Sequence, residues 1–185
     1  RLYTIQEMQL NNDKKKSFKT VFHFKDQKLI QIASKEYPNS ILTDEANEDY
    51  ALVYRTEPYQ LSSQWTGQFS KNDLAIVNVN NGVLKSAIKA SPSPASLSPN
   101  GEYAFGYNQV DSTWYTYNIK TSRYTELTNG KMFYNELSDY PNHPRSYGVA
   151  GWTKNDKSVL IYDRYDIWEF NPETGSNKQL TKGRE

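Results

Sequence analysis

Few side chains of this sequence have the types and the spacing that catalysis requires. The two histidines are His23, which lies in the alternating segment Val21–Phe24, and His143, which precedes Pro144. Alternation places His23 on the opposite face of a strand from its apolar neighbours, which favours a structural role. We expect His143 to be solvated or structural. Because no Gly-x-Ser-x-Gly segment occurs, the sequence has no serine-hydrolase nucleophile turn, and we assign no catalytic residue.

Metal and cofactor chemistry finds equally little support. The sequence has no cysteine, and a zinc site needs closely spaced histidines or cysteines, whereas His23 and His143 are far apart. The short segment Asn129–Lys131 contains one glycine and a lysine, but it lacks the spacing of a phosphate-binding loop. We therefore predict no bound metal and no cofactor.

The densest cluster of charged residues is Asp163–Asp166, in which Arg164 lies between two acids. Paired carboxylates need a cleft to act in catalysis, and we expect this cluster to brace a hairpin connection through hydrogen bonds and ion pairs. A second arginine, Arg145, lies in a long segment between two strand patterns. Because long loops on a rigid scaffold often carry function, Arg145 and Arg164 are our candidates for contacts with a substrate or another domain.

Composition excludes several classes of partner. The 185 residues include 22 Lys and Arg against 21 Asp and Glu, so there is no basic excess for nucleic acid or an anionic membrane. The mean hydropathy is −0.86, and no apolar run approaches about 18 residues, so we expect no membrane-spanning helix. The sequence begins at Arg1 without a signal peptide, which indicates a processed or excised piece of a longer polypeptide.

Aromatic residues make up 14% of the sequence, including 15 tyrosines and 4 tryptophans. Tyrosine, tryptophan and β-branched residues favour half-buried β-sheets. The rings therefore fit packing between sheets, and the alternative is an exposed stacking platform for sugars or peptide side chains.

One pattern occurs three times along the chain. A polar turn followed by a short apolar strand that ends in tyrosine recurs at Glu48–Tyr54, Gly101–Tyr107 and Asp156–Tyr162. A short strand precedes each copy, and two further strands joined by a polar turn follow it. Such a unit is a four-stranded antiparallel meander of the size of a propeller blade.

We therefore predict an all-β fold, namely a β-propeller fragment of about three complete four-stranded antiparallel blades plus part of a preceding blade. The beginning of the chain, residues 1–16, fits a helix or a strand equally well. The predicted division is the end of a preceding blade at 1–38, blades at 39–90 and 91–130, a long connecting loop at 131–146, and a blade at 147–185.

The third unit carries a specific resemblance to a known family. Tyr147–Trp168 resembles part of the N-terminal β-propeller of prolyl oligopeptidase family serine peptidases, most closely the large secreted or periplasmic members from Bacteroidetes bacteria. Ser96–Tyr103 is similar to the S-P-D-G-K-Y blade element of that family, and Ile167–Thr181 to its D-I-W … T-G … L-T strand pair. The two shorter elements also occur in unrelated propellers, whereas the first similarity is long.

The resemblance implies a propeller that lies over a separate α/β-hydrolase domain of the same polypeptide and restricts the access of peptide substrates to its Ser-Asp-His triad. No residue of such a triad is carried over to this chain. The resemblance also implies a periplasmic or secreted location. The resemblance implies a complete propeller of seven or eight blades. Because three blades cannot close such a ring, we expect open sheet edges and an edge-to-edge homodimer of the fragment.

Two other functions compete with this interpretation. The first is a stand-alone propeller-like binding module for glycan or protein, which repeat scaffolds often form. The second is an enzyme active at the propeller centre, which would require converging acids or histidines on the inner strands. A Gly-x-Ser-x-Gly segment downstream in the full-length precursor would favour the peptidase.

Overall fold

The computed structural model describes residues 2–66 and 71–183, without the side chains of residues 2–6 and 64–66. Three four-stranded antiparallel sheets and one two-stranded sheet dominate the described chain. The strands are β1 Thr20–His23, β2 Lys28–Gln31, β3 Asn39–Ile41, β4 Tyr50–Arg55, β5 Asn72–Asn78, β6 Leu84–Ser91, β7 Ala95–Leu97, β8 Tyr103–Asn108, β9 Thr113–Asn118, β10 Tyr124–Glu126, β11 Val149–Trp152, β12 Val159–Tyr162, β13 Ile167–Phe170 and β14 Asn177–Gln179. The predicted all-β fold is confirmed.

Helices are few and lie outside the sheets. The chain begins with α1 (Leu2–Lys14), so the helical alternative for its first residues is the observed one. Between β4 and β5, a 3-10 helix (Glu57–Tyr59) leads into α2 (Gln60–Thr66), which the repeat pattern did not predict. A second 3-10 helix covers Lys154–Asp156. Within the described part of the chain, no helix combines the length and the apolar character needed to cross a membrane.

The four strands of each complete sheet follow one another in chain order, and a repeated turn joins the third strand to the fourth. In each of these turns an asparagine side chain accepts hydrogen bonds from the backbone N–H groups two and three residues later. The residue four positions after the asparagine has a φ of 63° to 74°, which glycine adopts without strain. The asparagines are Asn78, Asn118 and Asn171, and the positive-φ residues are Gly82, Ser122 and Gly175.

The sheets stack face to face as blades, because their middle strands are apolar on both faces. In β5, Ala75 and Val77 pack towards the β1–β2 sheet, whereas Leu74 and Ile76 pack towards the second blade. Strand alternation explains this division, since successive side chains point to opposite faces. A third apolar cluster joins the second and third blades. Three consecutive complete blades and half of a preceding one therefore form a β-propeller segment.

The stack is open at both ends. In the described chain, each apolar cluster joins neighbouring sheets, and none joins the third blade back to the β1–β2 sheet. At one end of the stack, Phe22 and Leu29 on the outer face of the β1–β2 sheet are 47% and 63% exposed. At the other end, Tyr162 of the third blade is 39% exposed. Apolar faces that a further blade covers in a closed propeller are thus accessible here.

Gly175 provides a test of how closely neighbouring blades approach each other. A Cβ atom at this position would lie 2.9 Å from the carbonyl oxygen of Glu126 on the second blade. Gly130 has a similar positive φ but no atom within 4 Å of such a Cβ, so Gly130→Ala isolates the backbone strain, about 1 kcal/mol. We expect Gly175→Ala to lower the free energy of unfolding clearly more than Gly130→Ala in chemical denaturation. Equal losses would contradict the close approach.

Candidate functional site between the second and third blades

The second and third blades share an end at which two short connections and one long connection emerge. In an antiparallel meander the first strand starts, the second ends and the third starts at the same end of the sheet. The β6–β7 crossing (residues 92–94), the β8–β9 turn (109–112) and the β10–β11 connection (127–148) therefore emerge together. We call this end of the two blades the connection face.

A groove of about 640 Å³ lies between the two blades at the connection face. Phe105 and Tyr107 of β8 line it together with Trp114 of β9, and the ring centroids of Tyr107 and Trp114 are 5.5 Å apart. Alternation along β8 turns both of its rings towards the third blade, whose inner strand contributes Val149. Arg145 also lines this cavity, which we call the Arg145 groove.

The backbone that carries Arg145 is held on both sides. The Tyr107 hydroxyl donates to the carbonyl oxygen of Pro144 at 3.0 Å. The backbone N–H of Asn135 donates to the carbonyl oxygen of Arg145 at 2.8 Å, and Ser146 forms an antiparallel bridge with Tyr134. The guanidinium group is thus presented from an ordered backbone although it belongs to a long connection.

Phe133 anchors the same connection to the third blade. It is 1% exposed, and its ring meets the rings of Phe170 and Trp168 edge-on, with centroid distances of 5.2 Å and 5.9 Å. The burial of Phe133 could not be predicted from the sequence, because a single apolar residue in a polar segment forms no periodic pattern. Its position explains why a connection of this length is ordered.

The Arg145 groove has a net positive charge. The Arg145 side chain is exposed, and it forms no ion pair with any residue in the described part of the chain. None of the residues that line the groove is an aspartate or glutamate. Burial raises the pKa of the Tyr107 phenol, so this ring stays neutral at physiological pH. One unpaired cation therefore stands beside an apolar cavity.

Arg164, the second predicted contact residue, is engaged within the chain. It lies in the β12–β13 connection, and its guanidinium is 3.5 Å from the Glu136 carboxylate and 5.0 Å from the centroid of the Tyr165 ring. Glu136 directly follows Asn135, which binds the Arg145 backbone. Arg145 thus belongs to the β10–β11 connection and Arg164 contacts it through Glu136, but only Arg145 is among the residues that line the groove.

The acids beside Arg164 brace the hairpin connection, as predicted from the sequence. One Asp163 carboxylate oxygen accepts the backbone N–H groups of Tyr165 and Asp166, and the other accepts the Trp168 indole N–H at 2.9 Å. The Asp166 side chain accepts hydrogen bonds from Gln179, Thr181 and the backbone of Gly183. Both carboxylates are therefore engaged by donors that fix local structure.

Neither histidine is part of a catalytic pair among the described residues. The Nε2 atom of His23 lies 2.9 Å from the carbonyl oxygen of Val79, which links the β1–β2 sheet to the first blade. His143 contributes its carbonyl oxygen, which accepts the Gln109 side-chain N–H at 2.7 Å. In residues 2–66 and 71–183, no three His, Asp or Glu side chains are grouped as a metal site.

The opposite end of the blades holds a cavity of contrasting charge. This cavity of about 450 Å³ is lined by Asp44, Glu45 and Glu48, with Trp152 on one side. Burial is the main cause of a raised pKa of the Glu48 carboxyl, and Asp156 and Asp49 raise that pKa further by repulsion. The two cavities thus differ in charge, because acids line this one, whereas the lining of the Arg145 groove has one arginine and no acid.

Asp73 lies near the start of β5, at the end of the first blade that corresponds to the connection face. Its carboxyl group predicts an effect of pH on stability. Burial alone would raise the pKa of its carboxyl, but hydrogen bonds from Tyr59, the Ala90 N–H and Arg55 outweigh burial and hold the pKa below its ordinary value. A depressed folded-state pKa stabilises the fold above the unfolded pKa, about 3.9, and this stabilisation is lost as the pH falls through the folded value. The stability advantage of the parent over Asp73→Asn should therefore shrink below about pH 4.

Chemical denaturation at several pH values measures this effect. Asp26→Asn is the matched control, because Asp26 is exposed and forms no hydrogen bond with a described residue. A difference between parent and Asp73→Asn that is the same at neutral and acidic pH would contradict the assignment.

Comparisons with known proteins add two distant structural similarities. No protein-family model and no curated protein matches the sequence. TolB from Acinetobacter baumannii superposes with a TM-score of 0.45 at 15% identity, over 88% of this chain and 37% of that chain. The β-propeller domain of the Trilobed protease from Pyrococcus furiosus, described as having an open velcro topology, gives 0.43 at 11% identity, over 78% and 42%. This chain thus spans less than half of either matched chain.

Proposed function

We propose that this chain is a non-catalytic propeller segment of a prolyl oligopeptidase family serine peptidase, and that it gates and selects peptide substrates for an α/β-hydrolase domain of the same polypeptide. The sequence similarity of Tyr147–Trp168 to that family supports the assignment. The structural observation that carries it is the Arg145 groove, an apolar cavity with an unpaired cation on the connection face. Such concave sites with few polar groups are typical of ligand recognition.

The proposal has consequences for location and assembly. A peptidase of this kind acts in the periplasm or outside the cell, and the hydrolase domain is the first partner of the propeller. The uncovered Phe22 and Leu29 side chains also make a homodimer of the isolated segment through its open end part of the proposal. Neighbouring blades would cover this surface in a complete propeller.

An active-site-directed fluorophosphonate probe tests the proposed function. The complete polypeptide that contains this segment should be labelled on one serine outside residues 1–185, and it should cleave short peptides faster than intact folded proteins. The segment alone should remain unlabelled. An unlabelled complete polypeptide, or a label on a serine within this segment, would overturn the proposal.

The stand-alone binding module remains the second candidate function, and the unpaired Arg145 favours an anionic ligand over a neutral glycan for it. This candidate predicts binding without any probe-reactive serine in the complete polypeptide. The labelling experiment therefore separates the two functions directly.

A further inference from the structure

The Arg145 groove offers three polar groups that are not engaged with the rest of the described chain. The Arg145 guanidinium has no ion pair, and the hydroxyls of Ser96 and Ser146 form no hydrogen bond with a described residue. All three are hydrogen-bond donors, and arginine is the side chain whose planar fork matches a carboxylate. The uncommitted polar groups thus favour an anionic acceptor.

The remaining lining favours an apolar group beside that acceptor. Phe105, Tyr107 and Trp114 present ring surfaces, and Pro94 and Val149 add aliphatic surface. The Tyr107 hydroxyl is already used, because it donates to the Pro144 carbonyl oxygen. A cavity of about 640 Å³ is within the range that holds small ligands, roughly 300–1,000 Å³.

We infer that the Arg145 groove binds the carboxyl terminus of a peptide that ends in an apolar residue. In such a residue the α-carboxylate and the apolar side chain branch from one carbon atom, so both reach a cavity in which a cation borders aromatic rings. The carboxylate pairs with Arg145, and the side chain packs against Phe105 and Trp114. Charge complementarity excludes a free amino terminus, for which the groove holds no carboxylate.

The inference names a substrate class for the proposed peptidase and in that sense rests on the proposed function. The site itself is nevertheless complete within this chain, because every group that it uses belongs to the second and third blades and their connections. Binding can therefore be measured on the segment without any hydrolase activity.

Isothermal titration with three matched peptides tests the inference on the 185-residue chain. The probes are N-acetyl-Ala-Ala-Phe with a free carboxylate, the same peptide as its C-terminal amide, and N-acetyl-Asp-Ala-Phe amide, which moves the carboxylate to a side chain. We expect the free acid to bind about 10- to 100-fold more tightly than either amide, as the loss of a charge-assisted pair implies. Higher salt should weaken binding of the acid.

Two variants of Arg145 test the role of its guanidinium group, and a third variant, at Arg123, provides the control. Arg145→Ala should remove the preference for the free acid without changing the unfolding midpoint, whereas Arg145→Lys should keep part of the preference. Arg123→Ala makes the same substitution at an exposed turn on the opposite end of the second blade and should leave binding unchanged. Equal binding of acid and amide, no binding of any probe, or retention of the preference in Arg145→Ala would overturn the inference.

The two proposals fail separately. If the free acid binds through Arg145 but the complete polypeptide carries no probe-reactive serine, the peptidase assignment is wrong and the carboxylate site stands. If the polypeptide is a serine peptidase but the acid and the amide bind alike, the carboxylate site is wrong and the gating function stands.

Discussion

Replacing Phe133 by alanine is expected to lower the free energy of unfolding by about 3–5 kcal/mol, the range for truncating a buried phenylalanine. The ring is 1% exposed and packs edge-on against Phe170 and Trp168. Its removal leaves a cavity in the apolar cluster that joins the second and third blades. Chemical denaturation measures the loss as a lower midpoint.

The same substitution should also loosen the connection that carries Arg145. Phe133 lies at the start of the segment whose later residues bind Tyr107 and Asn135. Hydrogen exchange at Asn135 should therefore accelerate in Phe133→Ala under native conditions. Met132→Ala is the matched control, since the neighbouring Met132 is 60% exposed and should change stability by less than about 0.5 kcal/mol. Similar midpoints for the two variants would show that Phe133 does not anchor the connection.

The blades could be predicted from the sequence because their signals repeat. Each unit has the same order of polar turn and apolar strand, and the turn asparagines Asn78, Asn118 and Asn171 form the same local hydrogen bonds. Turn-forming residues and the alternation of apolar and polar residues can both be recognised in short stretches of sequence. The helix α2 was missed because it replaces a simple turn in one blade only, so no repeat reports it.

The candidate site could be predicted only in part. Arg145 was singled out because it lies in a long loop, but the walls of its groove come from residues about 40 positions earlier in the chain, such as Phe105 and Tyr107. Local patterns predict which face of β8 these rings occupy, but not which loop reaches them. The ion pair between Arg164 and Glu136 could not be predicted from the sequence either. It joins two connections, and the distance between them depends on the packing of Phe133.

Removing the Asp156 carboxylate is the second change with a large expected effect, because this buried group links the turns of two blades. Asp156 is 2% exposed. It accepts the Ser98 hydroxyl at 2.6 Å and the Asn100 backbone N–H at 3.1 Å. Hydrogen bonds to a charged group contribute about 1.5–3 kcal/mol each, and a buried donor left without its acceptor carries a further penalty.

The variant Asp156→Gly tests the contribution of the carboxylate separately from that of the backbone conformation. Asp156 has a φ of 51°, and the aligned position of the second blade is Gly101, with a φ of 66°, so glycine relieves strain while it removes the acceptor. We expect Asp156→Gly to lower the free energy of unfolding by about 2–4 kcal/mol despite that relief. Asn155→Gly is the matched control, because Asn155 also has a positive φ of 60° but is exposed, and it should leave stability unchanged or slightly higher. If both variants were equally stable in chemical denaturation, the Asp156 carboxylate would not contribute to the link between the second and third blades.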